Sequence, residues 1–269
     1  MDVNKNSYTF IFATVMVVVV AALLSTAAIF LKEPQAENMR REKMQNILYT
    51  VGVRDAADAT EPISRKLASV KYAEYVKQEI VLVDGVVTEK DAEGNKIEAF
   101  KVDMAKEMKK DDDKRKFPLY VANNNGETFY IIPVRGKGLW GPIWGYIALG
   151  EDMNEVVGAS FDHKGETPGL GAEIVTTTFS DQFIGKKILD ANGTFVSIQV
   201  MKGNAAGDYQ VDGISGGTIT SVGVEDMLQD CISNYMTYFM AIQNSMEEEA
   251  APAMDSTAVI TELYSNNIQ

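Results

Sequence analysis

The chain has 269 residues, of which 38 are Asp or Glu and 25 are Lys or Arg, so its formal net charge at neutral pH is -13. An acidic chain without a basic stripe cannot supply the counterion release on which nucleic-acid binding depends. The single cysteine, Cys231, excludes an intramolecular disulfide, and the single histidine, His163, excludes metal sites that need two histidines. Composition therefore disfavours nucleic-acid binding, zinc sites and most hydrolases.

An uncharged apolar segment lies near the N-terminus, at residues 9–31. About 20 helical residues are needed to cross the hydrocarbon core of a bilayer, so we predict one transmembrane helix here, after a short N-terminus at residues 1–8. A cleaved signal peptide is the alternative. The apolar run exceeds the usual signal-peptide length of about 7–15 residues, and Lys32 stands where a small-residue cleavage site would be expected.

Basic residues on both sides leave the orientation of this helix open. Lys5 precedes it, whereas Lys32, Arg40, Arg41 and Lys43 follow it. The positive-inside rule would place the following part in the cytoplasm, but the rule weakens when a long domain follows the helix.

The remaining residues, roughly 235, are enough for one substantial core. We predict a juxtamembrane helix and linker over residues 32–60 and one domain over residues 61–269 that begins with a helix at 61–76. The predicted fold class is α+β, with a mostly antiparallel sheet and flanking helices. Runs of alternating or β-branched residues predict these strands: 79–85, 96–102, 118–122, 127–134, 144–150, 156–162, 194–203 and 209–214. The charged run 106–116, with its three consecutive Asp, is interpreted as a solvated loop.

An amphipathic helix is predicted near the C-terminus, because apolar residues recur there at spacings of three and four. The residues on this apolar face are Val224, Leu228, Cys231, Tyr235, Phe239, Ile242 and Met246.

Three glycine-rich stretches are candidate sites. Residues 136–141 match GxGxxG, but Pro142 and Gly145 follow where a dinucleotide fold needs a helix, so a nicotinamide site is disfavoured. Residues 163–171 contain three glycines and fit either a ligand loop or an ordinary surface loop with a solvated His163. Residues 212–221 lead into the amphipathic helix. The free N–H groups and dipole at a helix start stabilise a phosphate, although a glycine turn before a helix is also common.

These stretches resemble the FMN-binding domain family found in the C-subunit of the sodium-translocating NADH:quinone reductase and in the G-subunit of the Rnf complex. The family pattern Asp-x-x-Ser/Thr-Gly-Ala-Thr matches residues 212–218, with Gly217 in place of Ala. The family's ETPGLG loop matches residues 166–171, and residues 135–141 match a third motif. The GLW segment within that motif and Asn46-Ile47-Leu48 favour the sodium-pump member of the family.

The resemblance implies FMN bound covalently to Thr218 through a phosphoester, installed by a flavin transferase. It implies an electron-carrying subunit, inactive alone, in a multi-subunit complex of the bacterial inner membrane that passes electrons toward quinone and exports sodium. It also implies a cytoplasmic N-terminus and a periplasmic domain. The span itself contains no ionisable residue for an ion pathway.

The resemblance implies no catalytic residue and no metal ligand. It does imply a set of residues that bind the cofactor. The set comprises Asp212, Ser215, Gly216, Gly217, Thr218 and Thr220 at the attachment turn, Glu166, Thr167, Gly169 and Leu170 bordering the flavin, and Leu139 and Trp140 near the flavin or a partner. Core packing is the alternative for Leu139 and Trp140. Two alternatives to the function remain: an Rnf-type G-subunit, and a membrane-anchored scaffold module without a cofactor.

Overall fold

The computed structural model describes residues 6–55, 61–91 and 93–250, with only the main chain for 247–250. The chain divides into two compact units, Met1–Tyr75 and Val76–Gln269. We predicted that the second domain starts at residue 61. The helix at Arg65–Tyr75 instead belongs to the first unit. Each unit has its own packing and is described separately below.

The first unit contains two helices, α1 (Asn6–Thr50) and α2 (Arg65–Tyr75). The N-terminal part of α1 is long and apolar enough to cross a membrane, and none of its most apolar 18-residue stretch is buried. The helix continues past Pro34 into the predicted juxtamembrane segment. There Ile47 and Leu48 are fully buried, and α2 contributes the buried Ala68 and Tyr72.

A six-stranded sheet forms the framework of the second unit. Its strands are β1 (Val76–Val83), β2 (Val86–Val87), β3 (Lys116–Asn124), β4 (Glu127–Lys137), β5 (Pro142–Leu149) and β6 (Val156–His163). The spatial order is β2-β1-β3-β4-β5-β6, and every neighbouring pair is antiparallel. The predicted α+β class with a mostly antiparallel sheet is confirmed.

The predicted strand at residues 96–102 is wrong. Lys96 makes one isolated bridge to Lys90, and Ala99–Lys101 form a 3₁₀ turn that precedes the short helix α3 (Met104–Glu107). Both edges of β1 are occupied by β2 and β3, so this segment has no edge of β1 to join. Instead Ala99 is buried, and its carbonyl accepts a hydrogen bond from the Tyr120 hydroxyl at 3.2 Å.

The predicted solvated loop at 106–116 is also partly wrong. The Glu107 side chain is buried, where it accepts hydrogen bonds from Lys110 Nζ at 2.7 Å and from the Lys116 N–H at 3.0 Å. The three aspartates at 111–113 are exposed, and Asp111 pairs with Lys114 across one turn. The charge run thus anchors the start of β3 through one carboxylate and leaves the others in solvent.

The two late predicted strands are shorter than expected. They form a small parallel pair, β7 (Gln199–Met201) and β8 (Gln210–Asp212), in which Met201 lies beside Asp212. This register brings the chain after β7 next to residue 213, where the glycine-rich turn begins.

The predicted amphipathic helix is two helices, α5 (Thr218–Ile232) and α6 (Met236–Ala250), joined by a 3₁₀ turn at Ser233–Tyr235. Of the predicted apolar face, five residues are buried: Val224, Leu228, Cys231, Tyr235 and Phe239. Ile242 is half-buried against the core, whereas Met246 is exposed, so the stripe ends before the helix does.

Two glycines set the crossing of α5 over β4. A Cβ on Gly223 would lie 2.3 Å from the Lys137 carbonyl oxygen, and a Cβ on Gly136 would lie 2.7 Å from Met227 Cβ. The backbones of α5 and β4 therefore approach closely, which is possible because glycine has no side chain to keep them apart. This contact places the first turn of α5 close to the turn between β4 and β5.

A cluster of three aromatic rings fixes the chain that follows β6. Phe161 of β6 packs against Phe179 and Phe183 with ring centroids 5.7 and 5.0 Å apart. Phe179 lies in the short helix α4 (Thr177–Ser180), and all three rings are buried. Both ends of the loop at 164–175 are thereby held by the core.

Candidate functional site

The glycine turn at residues 213–217 leads straight into α5. The Gly217 N–H donates to the Ile214 carbonyl at 2.9 Å, and Gly216 has φ +74°, a conformation that favours glycine. Gly217 is the N-cap and has no side chain to cap the helix. Thr218 is the first residue of α5, and its side chain is exposed. The first turn of a 15-residue helix therefore presents its N–H groups and a hydroxyl at the surface.

A cavity of about 390 Å³ lies beside this turn. Its lining residues are Val200, Met201, Lys202, Gly203, Gly213, Ile214, Ser215, Gly216, Thr218, Ser221 and Val222. Lys202 is the one charged side chain among these lining residues, in a chain whose net charge is -13. The cavity thus combines a hydroxyl, a helix start and one cation, which together suit an anion.

Asp212, the first residue of the attachment pattern, supports the rim of the cavity and does not line it. Its carboxylate accepts a hydrogen bond from the Ala205 N–H at 2.8 Å. Its main chain exchanges two hydrogen bonds with the Gln182 side chain, at 2.9 and 3.2 Å. Asp212 therefore holds the loop after β7 in place.

Glu166 connects all three glycine-rich stretches. It opens the loop at 166–171, and only 5% of its surface is exposed. One carboxylate oxygen accepts a hydrogen bond from the Thr220 hydroxyl at 2.6 Å, and the other accepts one from the Trp140 N–H at 2.8 Å. The β4–β5 turn, the 166–171 loop and the first turn of α5 thus meet at a single carboxylate.

Two glycines make room for this carboxylate. A Cβ on Gly138 would lie 2.6 Å from Glu166 Oε1, and a Cβ on Gly171 would lie 2.6 Å from Glu166 Oε2 and 2.4 Å from Thr220 Oγ1. These distances are shorter than any ordinary contact, so neither position has space for a side chain. Gly138 and Gly171 are therefore explained by close packing around Glu166.

The environment of Glu166 favours its ionised form. Burial alone would raise the pKa of this carboxyl. The hydrogen bonds from Thr220 and from the backbone N–H groups of residues 139 and 140 outweigh burial. Together they hold the pKa of Glu166 below its ordinary value of 4.5. The site thus contains a buried negative charge under the first turn of α5.

One interpretation of residues 163–171 was an ordinary surface loop with a solvated His163. In the structure His163 is half-buried at the end of β6. Its Nδ1 accepts a hydrogen bond from the Glu166 N–H at 3.1 Å. The histidine therefore orients the start of the 166–171 loop.

The 166–171 loop folds back on itself. The Thr167 carbonyl accepts hydrogen bonds from the N–H groups of Leu170 and Ala172, both at 3.1 Å. Gly169 has φ +75°, and its N–H donates to Glu173 Oε1 at 2.9 Å. Leu170 lies against the glycine turn at residues 213–217, because a Cβ on Gly216 would lie 2.7 Å from Leu170 Cδ2.

Leu139 and Trp140 are 48% and 68% exposed, so core packing is wrong for both. They lie in the β4–β5 turn, which the Gly138 N–H closes by donating to the Gly141 carbonyl at 2.8 Å. Further exposed apolar side chains occur on the other two segments of the site: Leu170 on the loop, and Ile219 and Val222 on α5. The segments that meet at Glu166 all present apolar groups to the outside.

Eight of the twelve predicted residues fall into three groups in the structure. Ser215, Gly216 and Thr218 line the cavity, Glu166 and Thr220 form the buried link, and Leu139, Trp140 and Leu170 are exposed around it. Lys202 and Val222 were not predicted from the sequence. Lys202 enters the cavity through the parallel register of β7 and β8, for which the sequence offers no local signal.

Comparison with known proteins agrees with this geometry. The family model described as the FMN-binding domain matches residues 138–233, which contain all three segments. The C-subunit of the Na(+)-translocating NADH-quinone reductase of Pseudomonas aeruginosa is 31% identical over 240 residues, covering 84% of this chain and 90% of that relative. The corresponding protein of Vibrio anguillarum is 32% identical over 215 residues, covering 77% of this chain and 82% of that relative.

The chain belongs to the C-subunit family of the Na(+)-translocating NADH-quinone reductase. A crystal structure of the family member from Parabacteroides distasonis is 40% identical and superposes with a TM-score of 0.66, covering 78% of this chain and 96% of that one. The structure of Shewanella oneidensis NqrC has a TM-score of 0.59 at 22% identity, covering 76% of this chain and 99% of that one, and shows the shared fold. Membership in this family favours the sodium-pump interpretation over the Rnf-type alternative.

Proposed function

We propose that this chain carries electrons within a Na(+)-translocating NADH-quinone reductase through an FMN bound covalently to Thr218. The observation that carries the proposal is the position of Thr218, whose exposed hydroxyl opens α5 at the rim of the cavity. A phosphoester at this hydroxyl would place its phosphate against the positive end of a 15-residue helix.

The residues of the site fit FMN. The helix start and Lys202 suit the phosphate, and the exposed Leu139, Trp140 and Leu170 offer apolar surface for a flavin ring. FMN, when bound, supplies one- and two-electron redox chemistry.

The chain's own contribution is to position the flavin and to shape its surroundings. Ser215, Gly216 and Gly217 form the attachment turn, and Asp212 holds the rim beside it. Thr220 and Glu166 fix the base of the site. Thr167, Gly169 and Leu170 form the loop that borders the flavin.

The apolar part of α1 anchors the chain in the bacterial inner membrane, with the short N-terminus in the cytoplasm and the flavin unit in the periplasm. Electrons reach the site from other subunits of the complex and continue toward quinone, and the complex couples this flow to sodium export. The chain is inactive alone. It depends on its partner subunits and on a flavin transferase for maturation. Residues 9–31 contain no ionisable side chain, the type of residue that usually marks an ion pathway inside a membrane.

Thr218→Val tests the attachment directly. Valine has nearly the same shape but no hydroxyl, and the side chain is exposed, so the fold should persist while covalent flavin is lost. Full-length wild type and variant are coexpressed with the flavin transferase, denatured, and compared by in-gel flavin fluorescence. We expect a fluorescent band for the wild type and none for the variant.

Thr178→Val is the matched control, because it removes an exposed hydroxyl in α4 that does not line the cavity. It should retain the fluorescent band. A fluorescent Thr218→Val variant would contradict the attachment site. A wild type without covalent flavin, while a control substrate is modified, would favour the scaffold interpretation.

A further inference from the structure

Glu166 is the most heavily constrained polar side chain of the site. It is 5% exposed, and two segments distant in sequence donate to it: Thr220 is 54 residues away and Trp140 is 26 residues away. Gly138 and Gly171 leave the space that it fills. A surface carboxylate that merely bordered a ligand would need none of these features.

The carboxylate also lies close to the attachment point without facing it. Thr220, its hydrogen-bond donor, is two residues after Thr218, a rise of about 3 Å along the helix axis. Residues two apart on a helix face different sides, and accordingly Thr218 is exposed whereas Thr220 is 1% exposed. Glu166 therefore lies against the buried side of the helix start, whereas Thr218 is on the exposed side.

We propose that Glu166 is a positioning residue of the flavin site, which ties the Leu139–Trp140 turn to the first turn of α5 and holds one fixed negative charge beneath it. The inference rests on the proposed function. The hydrogen bonds fix the wall that presents Leu139 and Trp140. The charge lowers the reduction potential of a flavin on Thr218, because a nearby negative charge in a poorly solvated site disfavours the addition of electrons.

The depressed pKa of Glu166 agrees with this role, since its donors outweigh the effect of burial and keep the group charged at neutral pH. The first turn of α5 stabilises the same charge, because the helix start carries partial positive charge.

The test is the midpoint potential of the covalently bound FMN in the full-length protein after coexpression with the flavin transferase. Glu166→Gln keeps the size and the acceptor oxygen for Trp140 but removes the charge. We expect a higher midpoint potential, measured on the fraction of the protein that carries covalent flavin. Glu127→Gln removes an exposed carboxylate at the β3–β4 turn and should leave the potential unchanged.

Glu166→Asp separates charge from geometry. It keeps the charge, but a side chain shorter by one methylene cannot reach both Thr220 and the Trp140 N–H. Its potential should stay closer to the wild-type value than that of Glu166→Gln, while thermal unfolding of the flavin-free protein shows a lower Tm than the wild type. A potential raised equally in both variants would show disturbed packing and would overturn the role of the charge.

If Glu166→Gln does not fold, Thr220→Val replaces it as the test variant. It removes one donor and keeps the carboxylate, so the potential should remain at or below the wild-type value, and a rise would overturn the inference. If the wild type carries covalent FMN but Glu166→Gln has the wild-type potential, only this inference fails. If the wild type carries no covalent FMN, the proposed function itself fails.

Discussion

Thr218 and Thr220 stand two residues apart at the start of α5 and have opposite environments. Thr218 is exposed at the rim of the cavity, whereas Thr220 is buried and donates its hydroxyl hydrogen to Glu166. Helical geometry separates the two side chains, so one hydroxyl is available for attachment and the other supports the site. The family pattern ends at Thr218 and implies that this residue carries the flavin, but it gives no sign that Thr220 is buried against Glu166.

Gly217→Ala should be tolerated. Gly217 stands where the family pattern has Ala, and its φ of -101° suits any residue. A Cβ would lie 3.0 Å from Ile214 Cβ and 3.2 Å from the Gly171 nitrogen, so its neighbours must move by a few tenths of an ångström. Reduced freedom of the unfolded chain offsets this cost by about 0.4–1 kcal/mol.

We therefore expect a change in the free energy of unfolding of less than about 1 kcal/mol and unchanged covalent flavin content. Denaturant unfolding and in-gel flavin fluorescence measure the two quantities. Loss of flavin from a folded Gly217→Ala variant would show that this chain's attachment turn requires glycine.

Ionisation of Glu166 should make part of the stability depend on pH. Because its folded-state pKa is lowered, the group stabilises the fold above its ordinary pKa of 4.5, and this contribution is lost as pH falls through the folded-state pKa. The difference in unfolding free energy between wild type and Glu166→Gln should be largest near neutral pH and should shrink as the pH falls below the ordinary pKa of 4.5.

Denaturant titrations of the flavin-free chain in detergent at several pH values measure this difference. A difference that stayed constant from neutral to acid pH would show that the carboxylate is not preferentially ionised in the folded protein.

At the scale of elements, the contact of α5 with β4 sets the position of the site. Gly223→Ala would put a Cβ 2.3 Å from the Lys137 carbonyl and push the helix away from the strand. Alanine improves helix propensity by about 1 kcal/mol, but overpacking usually costs about 1–3 kcal/mol, and here the obstacle is backbone. We expect net destabilisation together with reduced covalent flavin.

Asp226→Ala is the matched control, because Asp226 is exposed on the same helix. Its effect on the free energy of unfolding should stay within about 0.5 kcal/mol. Thermal unfolding compares the two variants, and equal Tm values would contradict the close contact between α5 and β4.

Elements with local signals could be predicted from the sequence, and elements that depend on partners could not. The strands β3, β4 and β5 were predicted correctly, as was the start of the buried helix face at Val224. In these elements the buried residues follow a pattern that is visible in neighbouring residues of the sequence. The segment at 96–102 alternates like a strand but finds no partner strand, because pairing depends on which edges are already occupied.

The site shows the same distinction. The three glycine-rich segments were identified from the sequence itself, but their meeting at Glu166 depends on contacts across 26 and 54 residues. Lys202 and the buried state of Glu107 depend likewise on tertiary structure, so no local pattern in the sequence indicates them.

At the scale of the whole molecule, membrane topology is the property to test. The apolar part of α1 should resist extraction with alkaline carbonate, since about 20 apolar helical residues suffice to span a bilayer. Protease added to spheroplasts should digest the unit after residue 75, whereas a tag fused to the N-terminus should be protected. Digestion only after the inner membrane is permeabilised would place that unit in the cytoplasm.

The proposed function depends on one claim, that the Thr218 hydroxyl carries the flavin. Mass analysis of the peptide that contains Thr218, from full-length protein coexpressed with the flavin transferase, tests this claim most directly. We expect the added mass of FMN less one water, with fragmentation placing it on Thr218. An unmodified peptide, or a flavin located on Ser215 or Thr220, would contradict the proposed attachment.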